Sequence, residues 1–450
     1  MPASFSPLLE ASVQSIELEA FSKQIPDLVP HSETLYGRFK KSATTIPVSN
    51  VTAAGGITRP SFRVPFRAQA GAGISQGTGN ADSLFRGSGS QWAAFALSPI
   101  FTFNVCEISF LARIATEGRK RGLFNVQAQE LANTFQQAMQ QLEALCQQDG
   151  SGALDQIPSV GAGGVVNNGT GGAGPSFSSI VGLNNAFQFA DQQTVQVFSA
   201  IGGTNRGSFT ITYTDPVTQT IYSSQALPAG TTNGDFLIVN GAPGSAGGSI
   251  LGLRAWQINS NTGTLAGIPR ANFPSRLSTP TINLAGASIS NSTSWRANVL
   301  LGRALGPENP IFRNVCWYCG PDQAFQIGNL YLNVLAARMN DAKEVTGNAP
   351  DMTPKGWPRT WGTYELIVGY NALPGRLDLF TFDTWYLGEL LPVELYDFGG
   401  GITVAPVPDI PTSGGTYLTS SMFVYTSAFN LANSAPRAGC YVQNASTPTL

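Results

Sequence analysis

Leu131, Phe135, Ala138, Leu142 and Leu145 recur every three or four residues, and Gly150 and Gly152 follow closely. That spacing lays one apolar stripe along an α-helix, and the glycines supply its stop. Gln136, Gln137, Gln140, Gln141, Gln147 and Gln148 fall largely off the stripe. The pattern predicts a helix over 122–149, roughly 40 Å long at about 1.5 Å per residue. Leu131, Phe135, Leu142 and Leu145 are its expected packing residues. A helix of this size with one apolar face is usually the backbone of a mixed domain. Because the surrounding chain reads as short β-segments rich in Gly, Pro and Ser, the expected class is α+β.

Upstream, ITRPSFRVPFRAQAG alternates Phe62, Val64 and Phe66 with Arg63 and Arg67, as a strand with one solvated face requires. Pro60 and Pro65 place it at an edge, since neither donates to a ladder. A Gly/Ser-rich tip spans 71–90, and the chain returns through QWAAFALSPIFTFNVCEIS. Two arms around such a tip predict a long hairpin that projects from the body. Before it, residues 1–57 read as an arm, where Pro26 and Pro30 interrupt two short apolar patterns. Downstream, GSFTITYTD, TIYSSQAL, GDFLIVNG and SILGLRAWQI read as strands, with a turn at Asp215-Pro216. A helix is expected over 293–306, then a strand, a Gly320-Pro321 turn and another helix. The last third alternates again in TYELIVGY, LDLFTFDTWYLGELLPVELYDFG and GGITVAPV.

Only 12% of the 450 residues are Asp, Glu, Lys or Arg, roughly half the usual share. Residues 151–250 hold just five: Asp155, Asp191, Arg206, Asp215 and Asp235. So little charge makes a free monomer poorly soluble, and one reading is that neighbouring subunits cover much of the surface. The net charge of -2 leaves no footprint for sequence-specific nucleic-acid binding. MPASFSPLLE lacks a signal-peptide pattern, and no run of eighteen apolar residues suggests a membrane span. Five cysteines suit a reducing compartment.

Chemistry has little to work with. His31 is the single histidine, so triads and metal sites built on two are excluded. Cys316 and Cys319 have C-x-x-C spacing but fall in an apparent strand, not at the helix N-terminus that activates a redox thiol; burial is the expectation. Glu389 with Glu394, or Asp378, Asp383 and Asp397, could pair as general acid and base in a carbohydrate-active protein. No catalytic residue, metal ligand or cofactor is assigned.

The order of parts resembles a tailed-bacteriophage major capsid protein of the HK97-like fold. The resemblance is carried by the helix end Leu142-Glu143-Ala144-Leu145 with Asp149-Gly150-Ser151-Gly152, by Leu265-Ala266-Gly267-Ile268-Pro269-Arg270-Ala271, and by the strand region from Arg376 to Tyr396. Together these cover about half of the chain. It implies an N-terminal arm at 1–57, an E-loop hairpin at 58–105, and a peripheral domain at 106–200 with its spine helix. A strand-rich segment at 201–264 would be an insertion, 265–355 an axial domain, and 356–450 return strands and a tail. The function implied is a non-catalytic shell protein that self-assembles as hexamers and pentamers into an icosahedral capsid around a double-stranded DNA genome. Arg63, Arg67, Phe62, Phe66 and Trp92 become candidate inter-subunit contacts. Some family members crosslink through an E-loop lysine, but no lysine lies between Lys41 and Lys120, so no crosslink is expected. Only about 57 residues precede the hairpin, which implies either a separate scaffolding protein or a mature form of the chain; the other implied partners are a portal protein, a cement or decoration protein, and packaged DNA in non-specific contact, with no membrane. The virion is the implied location, with assembly in the bacterial cytoplasm. Alternatives are an encapsulin-like container, a β-rich carbohydrate-active enzyme or binding module, and a decoration or tail protein of a virion.

Overall fold

The periodic stretch forms a 22-residue helix, Val126–Gln147, about 33 Å long at 1.5 Å per residue. The computed structural model describes residues 35–52, 58–69, 89–109, 126–158, 165–167, 178–245, 247–305, 314–339, 358–397, 405–409 and 417–446; the expected helix start at 122–125 lies outside these. The chain divides into two units, the first holding 100–140 and 390–429, the second 32–99, 141–389 and 430–450.

In the first unit, strand Ile100–Ser109 runs antiparallel to the long strand Tyr417–Asn433, in register from Ile100↔Phe429 to Ser109↔Ser420. Ala405–Asp409 pairs with the same long strand. The chain from Ile100 onward thus belongs to this sheet rather than to the hairpin's return limb. The helix portion up to Gln140 covers one face of the sheet. Phe135 packs its ring on Tyr425 at 5.5 Å, and Thr134 hydrogen-bonds the Cys106 thiol, whose pKa burial raises. Phe135 nonetheless stays 41% exposed and Leu131 half-buried, so the stripe is only partly covered here.

Two large cores stand out among the described residues of the second unit. Six strands stand in the order Thr281–Asn283, Gly439–Gln443, Leu377–Thr381, Val315–Cys319, Tyr364–Val368 and Thr360–Trp361. Helices Asn291–Leu305 and Pro321–Met339 pack on this sheet, through Ala297, Leu301, Ala324 and Ile327 against Val315, Trp317 and Cys319. Pro321 occupies the first helical position, where its missing N–H costs nothing. The second core lies between two four-stranded sheets. One runs Asn205–Thr210, Thr194–Phe198, Phe236–Val239, Ala153–Gln156; the other Tyr213–Asp215, Thr220–Ser223, Ser178–Val181, Val165–Asn167. The strand-rich region therefore begins near residue 153, because the 153–156 and 194–198 strands complete sheets that 201–264 alone leaves open. Asp215 makes the expected turn, accepting the Val217 N–H and the Thr218 hydroxyl.

SILGLRAWQI departs from expectation. Leu253–Trp256 is a single helical turn rather than a strand, because the chain bends where Gly252 is pressed against the main chain at Cys146. A second departure concerns the glutamines. From Leu142 to Gln148 every residue is buried, and Gln147 and Gln148, placed off the stripe by periodicity, lie inside. The Gln148 amide donates to the Leu154 carbonyl at 3.1 Å and to Gln188 Oε1 at 2.8 Å, and accepts from Arg254 at 3.1 Å. Gln147 donates to the Tyr318 hydroxyl at 2.5 Å, which donates to Glu143 at 3.1 Å. The helix then stops as Gly150 and Gly152 take φ of +87° and +80°, the left-handed region that glycine enters without penalty.

A Cβ at residue 252 would sit 2.4 Å from the Cys146 carbonyl oxygen, a backbone clash that no side-chain rotation relieves. Gly252→Ala is expected to cost about 2 kcal/mol or more. Gly302, inside helix Asn291–Leu305 with open space around a Cβ, is the opposite case, and Gly302→Ala should gain about 0.5–1 kcal/mol. Thermal melts of the unassembled chain check both.

Candidate functional site

Strand Thr58–Gln69 pairs antiparallel with Gln91–Leu97, from Phe62↔Leu97 to Arg67↔Trp92, and Ser49–Thr52 adds a third strand. Period two sorts the hairpin cleanly. Phe62, Val64, Phe66, Ala68, Phe95 and Leu97 are buried, while Arg63, Pro65 and Arg67 are exposed. Phe66 stacks on Phe95 at 4.3 Å and meets Phe273 edge-on at 5.8 Å. Phe95 meets Trp256 edge-on at 4.9 Å. Phe62 lies over Gly388, where an added Cβ would fall 2.2 Å from its ring. Gly388 leaves the space that this ring fills.

This corrects the assignment of Phe62 and Phe66 as inter-subunit contacts, since each is 2% exposed and packed inside its own chain. Arg63, Arg67 and Trp92, the last 67% exposed, do share the hairpin's outward face. Of the helix residues, Leu142 and Leu145 are buried, Leu131 is half-buried, and Phe135 is among the exposed apolar side chains.

The first unit carries a second apolar surface, which the sequence reading missed. Along strand Ile100–Ser109 the exposed residues are Phe101, Phe103, Val105 and Glu107, with Phe103 59% exposed. The Phe101 and Phe103 rings stack at 6.3 Å, 10° from parallel. The inward positions are Thr102, which shares a hydrogen bond with Ser427, then Asn104, Cys106 and Ile108. Leu390, Pro392, Glu394 and Tyr396 form another exposed row. The Tyr396 N–H donates to the Val424 carbonyl, and Val424 lies opposite Val105, so both rows belong to one sheet face. The signal was present in the first half of IFTFNVCEIS as an inverted alternation, with Phe101 and Phe103 outward and Thr102 and Asn104 inward.

The carboxylates proposed for catalysis are structural or scattered. Glu389 accepts from the Tyr36 hydroxyl at 2.8 Å and from Lys40 at 3.3 Å. Burial, then Glu389 itself, raises the Tyr36 pKa. Arg376 clasps both oxygens of Asp378 and stacks over Tyr441, while Asp383 accepts from Asn314 at 2.6 Å. Glu389 and Glu394 are five residues apart on one strand, so they point to opposite faces. The cavity beside Asp378 measures about 10 Å³, room for one water and far below a sugar-sized pocket. Among the described residues no three His, Cys, Asp or Glu gather as a metal site, and no helix is long and apolar enough to cross a membrane.

Cys316 and Cys319 are buried on opposite faces of one strand, and burial raises both thiol pKa values. This arrangement suits packing, not redox exchange.

No protein-family model matches the chain, and no curated protein matches its sequence. Solved structures do match. Against the capsid asymmetric unit of Cyanophage A-1(L), the TM-score is 0.51 at 11% identity, covering 97% of this chain and 99% of that one. A chain of Gordonia phage Cozz gives 0.43 at 10% identity, covering 100% and 97%. The capsid of a native GTA particle gives 0.40 at 10% identity, covering 95% and 96%. The α+β architecture is the HK97-like fold of phage capsid chains, shared with the cyanophage chain nearly end to end.

Two experiments test the site's construction. Phe66→Ala should cost about 3–5 kcal/mol by removing a buried ring and open the hairpin to limited proteolysis. Arg63→Ala and Trp92→Ser, on the exposed face, should stay within about 0.5 kcal/mol. For the thiols, iodoacetamide at about pH 8 should label Cys316 and Cys319 only after denaturation, read by mass spectrometry.

Proposed function

We propose that the chain is a major capsid protein, a non-catalytic subunit that self-assembles into an icosahedral shell around a double-stranded DNA phage genome. The observation that carries this reading is the end-to-end structural likeness to the cyanophage capsid chain. The exposed aromatic sheet face and the low charge content support it, since both suit a surface covered by other subunits. In this reading the hairpin from Thr58 is the E-loop, Val126–Gln147 the spine helix of the peripheral domain, and the sheet with helices Asn291–Leu305 and Pro321–Met339 supplies much of the axial domain. The region from about 153 to 250 is an insertion.

Hexamers and pentamers are the assembly units. A separate scaffolding protein, a portal and a cement or decoration protein are the partners, and assembly occurs in the host cytoplasm before the shell becomes part of the virion. Contact with packaged DNA is sequence-independent, as the net charge of -2 allows. Without a lysine between residues 41 and 120, the E-loop forms no lysine crosslink and the shell is held by non-covalent contacts.

Negative-stain microscopy of the purified chain, alone and with its scaffold, is expected to show closed shells, rings or curved sheets. A monodisperse monomer in both preparations would falsify the reading. Shells boiled in detergent should run as a single band at the 47.4 kDa of one chain; a ladder of multiples would reveal a covalent link.

A further inference from the structure

One junction inside the second unit holds more hydrogen-bond donors than acceptors. Gln147 at the helix end, Arg254 on the turn Leu253–Trp256, Tyr318 on its strand, and Arg376 with Asp378 line the cavity of about 10 Å³. The acceptors are spent. Asp378 receives Nε and Nη2 of Arg376 at 2.7–3.0 Å, and the Tyr318 hydroxyl accepts from Gln147 while donating to Glu143. The donors are not. Among the described residues Arg254 makes one hydrogen bond, from Nη1 to the Gln148 amide oxygen at 3.1 Å, and no ion pair. Nη1 of Arg376 makes no hydrogen bond either. Asp149, Asp155 and Asp378 act on Arg254 only from beyond ion-pair distance, and burial, then the charge of Arg376, lowers its pKa. The last carbonyls of the helix add partial negative charge nearby, yet none of them accepts from Arg254. A guanidinium drawn out of water is costly unless it is paired.

We propose that this cavity binds a single halide-sized anion, chloride in ordinary solution, between the free guanidinium nitrogens of Arg254 and Arg376. Two cations and one carboxylate line the cavity, so one positive charge is left over and a monovalent anion neutralises it. Water is the poorer occupant. It must donate as well as accept, and the oxygen atoms that line the cavity already receive donors. Phosphate and sulfate are too large for the volume. A halide is only slightly wider than water, and two long arginine side chains can yield the difference. Arg254 and Arg376 are both partly exposed, which leaves a route for exchange with solution. The ion ties the turn at Arg254 to the six-stranded sheet at Arg376, where no side chain of the chain itself closes that link.

Two measurements on the full-length, unassembled chain test this. Crystals soaked in sodium bromide should show an anomalous peak in contact with the Arg254 and Arg376 guanidinium groups. Thermal melts in rising sodium chloride, with sodium gluconate holding the ionic strength constant, should move the midpoint up by roughly 2 °C per tenfold step once the site fills. Arg254→Gln should lose that chloride response, and Arg254→Lys, which keeps the charge, should retain part of it. If Arg254→Gln does not fold, the bromide peak in the wild-type chain decides alone. Density in the cavity without anomalous signal overturns the proposal and assigns the space to water. A chloride response that survives in Arg254→Gln also overturns it, because the effect then arises elsewhere. So does a bromide peak without any chloride response, which marks binding at soaking concentration only.

Discussion

The fold turns on two buried carboxamides at the end of a helix. Gln147 and Gln148 sit where the helix has already run out of backbone partners for its last carbonyls, a position normally left to solvent. Here the position is interior. Gln148 joins the helix to the strand-rich region through Leu154 and Gln188, and to the turn at Arg254. Gln147 joins it to the six-stranded sheet through Tyr318. An intramolecular hydrogen bond contributes only about 0.5–1.5 kcal/mol net, but one left unmade in the interior costs about 1–3 kcal/mol. The network therefore acts chiefly as a constraint, admitting few other relative placements of these elements.

Around this junction the chain fixes its remaining elements with volume. Phe62 takes the space that glycine leaves at 388, and Arg270, buried enough for its pKa to fall to about 10, donates to the carbonyls of Ala255 and Leu277. Ala266 and Gly267, both at positive φ, make the two-residue turn that aims Arg270 inward. Such a turn needs φ above zero at both central residues. The segment singled out in the sequence as a glycine-and-proline passage is thus a miniature hairpin delivering one cation to a buried site.

Much of this was legible in the amino-acid order where one face of an element is solvated. Phe62, Val64 and Phe66 against Arg63 and Arg67 predicted the strand and its buried side; Leu142 and Leu145 predicted the helix face; Gly320-Pro321 predicted the restart of a helix. Periodicity failed where both faces are covered. From Ser421 to Asn433 the long strand is buried or nearly so on both sides, so TSSMFVYTSAFNLAN carries no alternation to read. It failed again at Gln147 and Gln148, because amide side chains look solvated until their partners, up to 171 residues away, are known. The outward aromatic face was missed for a third reason. Phe101 and Phe103 face outward, against the rule that apolar residues mark the interior, and only the pairing with Ser427 and Ala428 shows which side is which.

One further consequence is mechanical. The rings of Phe66, Phe95, Trp256, Trp385 and Phe39 touch in sequence, at 4.3, 4.9, 6.4 and 5.0 Å. They run from the hairpin through the second unit to the helix Leu35–Ser42. Flat, stiff side chains in face and edge contact transmit displacement with little compliance, because a close-packed interior is far less compressible than its surface. A tug on the hairpin is therefore shared among five rings and felt at the far end of the series, instead of peeling two strands apart one hydrogen bond at a time.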